Sequence, residues 1–163
     1  MINAIMAVDE EGGISKNGSM PWPKNKEDLR RFKELTLNNV VIIGKLTWID
    51  PQMPTPLKDR INVLVTSKSP SLYPGADKYI SGDLKENIKK IISEYKKQRI
   101  WLIGGPNLIN QLFDLIDNFF LTRIYGKFNC DKKLDVERII KNMTLYGTSS
   151  SQDNTCRFQV WKK

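Results

Sequence analysis

Asp28 stands where a solvated acid has little reason to be. The stretch Asn25 to Thr36, NKEDLRRFKELT, reads as an amphipathic helix: at about 100° per residue, Leu29, Phe32, Leu35 and Thr36 share one side, while Arg30, Lys33 and Glu34 point away. Asp28 falls on the apolar side, one turn before Phe32. A carboxylate facing a hydrophobic surface costs free energy unless something pairs with it. Asn25 capping the helix, with Asp28 three residues on in a capping-box-like start, accounts for an acid at this place equally well.

Three strand-to-helix corners suit an anion. Ile103-Gly104-Gly105-Pro106 ends an apolar run and opens a helix, where free N–H groups face outward and glycine allows close approach. Ile43-Gly44-Lys45-Leu46-Thr47 offers a lysine and a hydroxyl at a helix start. It is no P-loop, because Asn39 stands where that motif needs glycine and no Ser or Thr follows Lys45 directly. Thr66-Ser67-Lys68 adds two hydroxyls and a cation. No G-x-G-x-x-G occurs anywhere, so the usual dinucleotide fingerprint is missing. The three corners read either as one long anionic site at the ends of parallel strands or as unrelated solvated loops.

The elements that must position these residues alternate. Ile2–Val8, Asn39–Ile43, Ile61–Thr66, Lys78–Ile80, Arg99–Ile103 and Phe119–Tyr125 read as strands. Lys45–Ile49, Leu84–Lys97 and 106 to about 113 read as further helices, with Pro106 favourable at the first helical position. Met143–Ser149 and Thr155–Trp161 read as a closing hairpin. The expectation is one α/β domain over residues 1–163: a mostly parallel sheet, an antiparallel C-terminal hairpin and helices on both faces.

Composition narrows the chemistry. The chain has no histidine, which excludes a histidine base for serine or cysteine hydrolysis and histidine-ligated zinc. Cys130 and Cys156 are too far apart for a metal motif and read as free thiols in a reducing compartment, hence a cytoplasmic expectation. The longest apolar runs are too short to span a bilayer, and the first residues do not resemble a signal peptide. A net charge of +8 biases the chain toward anionic partners. Its lysines read mostly as solvated surface, without the aromatic interleaving that single-strand binding needs.

Taken together, the motifs resemble one family. Ala7-Val8-Asp9, Met20-Pro21-Trp22, Asp28-Leu29 with Phe32-Lys33 and Thr36, Gly44-Lys45-x-Thr47-Trp48, Arg60-x-Asn62, Ile103-Gly104-Gly105 and Leu121-Thr122-Arg123-Ile124 occur in the order and spacing of dihydrofolate reductase, across essentially the whole chain. The resemblance implies hydride transfer from NADPH to C6 of dihydrofolate, with N5 protonated by a water admitted near Met20. It implies that Asp28 accepts hydrogen bonds from the pterin, with Thr122 as its companion and Met20 and Trp22 beside it. Ile5, Leu29, Phe32, Leu57 and Ile103 would form the substrate's apolar wall, and Arg60 would pair with its glutamate carboxylate. Gly104, Gly105, Asn107, Leu108 and Ile109 would hold the cofactor with Ile14, Thr47 and Lys45, while Lys45, Ser67 and Lys68 take the 2′-phosphate. The resemblance further implies a monomer with no metal, no nucleic-acid partner and no membrane attachment.

Three departures stand out. Ile109 replaces an aromatic residue expected beside the nicotinamide, Ile49-Asp50-Pro51-Gln52-Met53 departs from the usual segment after Thr-Trp, and Asn3 replaces an apolar residue expected near the pterin. The rivals are another pterin or pyrimidine reductase on the same fold and a basic binding protein that has lost catalysis.

Overall fold

A computed structural model describes residues 1–163. The apolar runs become one eight-stranded sheet. Its strands are β1 (Ile2–Val8), β3 (Val40–Gly44), β4 (Ile61–Val65), β5 (Lys78–Ile80), β6 (Ile100–Leu102), β7 (Asn118–Ile124), β9 (Thr144–Ser150) and β10 (Cys156–Lys162). They lie in the order β5-β4-β3-β6-β1-β7-β10-β9. All pairs from β5 to β7 are parallel, and β10 runs antiparallel to both β7 and β9. The expected architecture, with its antiparallel C-terminal hairpin, is the one observed.

Alternation along the strands explains why both faces are covered. On β3, Val40 and Ile42 join a cluster with residues of α3 (Leu84–Glu94), α4 (Pro106–Leu112) and α5 (Val136–Asn142). Val41 and Ile43 point the other way, into a smaller cluster against which Phe32 and Leu35 of α1 (Lys26–Thr36) pack, with Trp48 of α2 (Lys45–Trp48) inside it. β3 is therefore apolar on both sides, as a strand inside a doubly covered parallel sheet requires. Asn25 caps α1, its side chain accepting from the Asp28 N–H at 3.1 Å, while the Asp28 carboxylate accepts from the Thr122 hydroxyl rather than closing a capping box.

Two regions differ from the sequence expectation. The helix expected over Leu84–Lys97 stops at Glu94: Gln98 N–H bonds the Tyr95 carbonyl in a turn. That turn brings Ile100 opposite Ile2 and Val40, so sheet register overrides the helical propensity of Lys96-Lys97. The stretch after β7 holds structure the sequence did not announce: β8 (Lys132–Lys133) pairs antiparallel with β2 (Gly13–Ser15), and α5 follows, capped by Asp135 accepting from Arg138 N–H. The β2–β8 ribbon therefore ties the loop after β1 to the loop after β7.

Candidate active site

A cleft of about 1160 Å³ opens along the carboxyl ends of the parallel strands, where an open α/β sheet binds its ligands. Asp28 enters from α1 and Thr122 from β7. The Thr122 hydroxyl donates to Asp28 Oδ1 at 2.6 Å, and Thr122 is itself only 1 % exposed. Burial pushes the Asp28 carboxyl above its ordinary value, and the Thr122 hydrogen bond and the Arg31 guanidinium pull only partly back. Ile5, Leu29, Phe32, Leu57 and Ile103 share the cleft with this acid. The carboxylate expected on an apolar face is thus at the end of an apolar wall.

Arg60 closes the same wall. Its Nε donates to the Lys58 carbonyl at 2.8 Å and its Nη1 to the buried Thr36 hydroxyl at 3.1 Å, which fixes the guanidinium plane and leaves Nη2 without a bond inside the chain. The turn that sets Arg60 and Leu57 depends on Asn62, 2 % exposed. Asn62 Oδ1 accepts from Leu57 N–H, while its Nδ2 donates to the Leu57 and Arg60 carbonyls. The sequence marked Asn62 only as part of a motif; here it is the internal scaffold of the turn.

Two of the three anion corners meet. Gly44 N–H donates to the Gly104 carbonyl at 2.7 Å, and a Cβ on Gly44 would lie 3.1 Å from that oxygen. Gly104 has φ +116°, and a Cβ there would stand 3.1 Å from Met6 Sδ and 3.4 Å from Thr47 Oγ1. Only glycine allows this approach. Lys45, Thr47, Gly105, Asn107 and Leu108 line the cleft beside them. From the third corner Ser67 lines the cleft but Lys68 does not; Lys68 N–H instead closes a turn on Thr66 Oγ1.

The family stands on this geometry and on direct comparison. The family model described as dihydrofolate reductase matches residues 1–161. The chain belongs to the dihydrofolate reductase family. A viral dihydrofolate reductase of Saimiriine herpesvirus 2 (strain 488) is 34% identical over 143 residues, covering 80% of this chain and 67% of that protein. The dihydrofolate reductase of Rattus norvegicus is 29% identical over 153 residues, covering 84% and 81%. Among solved structures, dihydrofolate reductase from Enterococcus faecalis, complexed with NADP(H) and RAB-propyl, shares the fold. It has a TM-score of 0.79 at 23% identity, covering 99% of this chain and 95% of that one.

Some residues that the dihydrofolate reductase resemblance pointed to lie elsewhere. Ile109 is 1 % exposed, packs in the larger core cluster and is not among the residues that line the cleft. Asn3 does not line the cleft; it accepts from Asn118 Nδ2 at 2.9 Å at the amino end of β1, away from the carboxyl ends that hold the site. Trp22, with an edge contact to Phe128, lines a smaller neighbouring pocket with Met20, Asp28 and Leu29. Gly104 acts through its backbone rather than as a lining residue.

The loop after β1 is held at both ends. Asp9 Oδ1 accepts from Gly13 and Glu11 N–H and Oδ2 from Phe128 N–H. Burial would raise the Asp9 carboxyl, but these three bonds and one from the Cys130 thiol bring it below its ordinary value. Farther along, Asn17 N–H reaches Asp131 at 2.9 Å and Ser19 Oγ reaches Asp50 at 2.7 Å. Ile14 and Met20 therefore face the cleft from a tethered segment. Sequence reasoning also missed how much of the charge rims the site: Lys24, Lys33, Lys132 and Lys133 line it together with Lys45 and Arg60, against only Asp28 and Asp50. Lys132-Lys133 read as solvated surface because nothing in the sequence shows that β8 folds back onto β2.

Proposed function

We propose that this chain converts 7,8-dihydrofolate, NADPH and a proton to 5,6,7,8-tetrahydrofolate and NADP⁺. The observation that carries the reading is that one apolar cleft holds the Asp28–Thr122 pair and the immobilised Arg60. These match the polar edge of a pterin and the carboxylate of its glutamate tail, with the apolar wall between for the aminobenzoyl ring. NADPH, the family's reductant, fits the remainder: the Gly44–Gly104 approach leaves the backbone bare where a pyrophosphate needs it, and Lys45, Thr47 and Ser67 supply cation and hydroxyl donors.

The chemistry supplied by NADPH, when bound, is a hydride delivered to C6 of the pterin. The chain's part is placement and electrostatics. Ionised Asp28 accepts from the 2-amino group and N3 of the pterin, which fixes the ring's register; Thr122 fixes the carboxylate's orientation. Arg60 anchors the far end through a charge-assisted pair. The segment bearing Ile14 and Met20 excludes bulk water. The chain has no histidine, and Asp50 is occupied by Ser19 Oγ and Gln52 N–H, so the proton for N5 arrives through a water rather than from a second side chain. We take residues 1–163 as one domain, working as a cytoplasmic monomer with small-molecule partners only.

The test is loss of the reduced nicotinamide's near-ultraviolet absorbance with dihydrofolate, run beside Asp28→Asn. Native protein consumes NADPH, and the variant loses on the order of 10²-fold or more in rate near neutral pH. A native chain that binds NADPH but leaves dihydrofolate unreduced would overturn the substrate assignment.

A further inference from the structure

Arg31 follows Asp28 by one helical turn, yet it is only partly exposed and does not enter the cleft. Its guanidinium carbon lies 4.6 Å from the Phe158 ring centroid and 5.6 Å from that of Phe120. Nη1 is buried and has no hydrogen-bond partner. The residue does not line the cleft, and no carboxylate approaches it closely enough for a direct ion pair. A half-buried guanidinium with a buried, unbonded donor costs free energy that ring contacts alone offset only in part. Something else has to favour it there. The anion at hand is Asp28, three residues back on the same face. Phe158 lies directly opposite Thr122 across the β7–β10 ladder. One register therefore brings the hydroxyl to Asp28 and the ring to Arg31.

We propose that Arg31 is a positioning residue for Asp28: a cation clamped between Phe120 and Phe158, outside the cleft, that holds the acid in its charged form while no substrate is bound. This rests on Asp28 being the acid that receives the pterin. The other groups around the carboxylate do not share the task. Thr122, from β7, is neutral. Cys156, from β10, is kept neutral because burial pushes its thiol up and Asp28 adds to the effect. Lys24 is exposed at the side pocket. Glu27 is turned away, its carboxylate accepting from Gln152 N–H. Burial works against the charged form of Asp28, and Arg31 is the one ionic group working for it.

The experiment follows the Asp28 carboxyl by NMR in free protein carrying ¹³C at the Asp γ-carbon, with Asp28→Asn assigning the signal. Removing the charge in Arg31→Met raises the titration midpoint by roughly one pH unit. Arg31→Lys, which restores a charge but not the planar stack, recovers most of the native value. A folded Arg31→Met or Arg31→Gln that titrates as native does overturns the proposal, and so does Arg31→Lys moving as far as Arg31→Met. Should neither neutral variant fold, the native protein decides: the Arg31 Nε resonance must follow the Asp28 midpoint, and a resonance that ignores it overturns the idea. Dihydrofolate binding by Asp28→Asn separates the two readings. Native-like affinity there would sink Asp28 as the pterin's acid while leaving the coupling in free protein standing.

Discussion

Asp28→Asn is expected to make the protein more stable as it makes it inactive. Burial holds the Asp28 carboxyl above its ordinary value of 3.8, so the folded chain binds that proton more tightly than the unfolded chain does. At low pH both states are protonated and the residue is neutral in its effect. As pH rises from the unfolded value through the folded one, ionisation favours unfolding, and the deficit is complete above the folded value. Asparagine removes the charge yet still presents an oxygen to the Thr122 hydroxyl, 2.6 Å from Oδ1 in the native protein. Two terms oppose each other in the variant. The desolvation of a carboxylate is relieved, and the attraction to Arg31 is lost, leaving that guanidinium without its anion.

Because burial is the larger of the two for Asp28, relief wins. A gain of about 1 kcal/mol corresponds to roughly 2–4 °C in Tm for a chain of this size. The assay is thermal unfolding of both proteins without ligand across a pH series. The variant's advantage should be present near neutrality and shrink to nothing as pH falls toward 3.8, the ordinary carboxyl value. A variant that is less stable at neutral pH, or whose advantage is the same at every pH, would refute the account of Asp28 as a desolvated acid waiting for a partner. With saturating dihydrofolate the order should reverse, since only the native protein gains the ligand's binding energy.

Arg60→Lys keeps the charge but loses the planar fork that Lys58 and Thr36 hold in place, so KM for dihydrofolate should rise about tenfold or more while KM for NADPH stays within error; equal changes in both would argue against Arg60 as the carboxylate's partner. Gly104→Ala places a methyl group 3.1 Å from Met6 Sδ on backbone with φ +116°, at a cost of roughly 1–3 kcal/mol. It should weaken NADPH binding measured by fluorescence titration, and unchanged binding in a folded variant would show that the corner is not where the phosphates lie.

How legible the site was depends on whether a residue's partner lies nearby in the chain. Periodicity alone put Asp28 on the apolar face, and glycine after an apolar run marked both corners, because these features are encoded within a few residues. Ile109 shows the opposite. The motif places it beside the cofactor, but its side chain packs in the core with Leu112, and no local signal in a seven-residue helix says which side faces the cleft. Lys132 and Lys133 join the site only because β8 reaches back across more than a hundred residues to β2. Arg31 was hidden in another way: within α1 it looks like one more solvated cation beside Arg30. Its partial burial needs Phe120 and Phe158, two aromatics on the neighbouring strands β7 and β10, to arrive together. The acid of this site could be read from the sequence, and the cation behind it could not, because the first is declared by its own helix and the second by a β-ladder formed far along the chain.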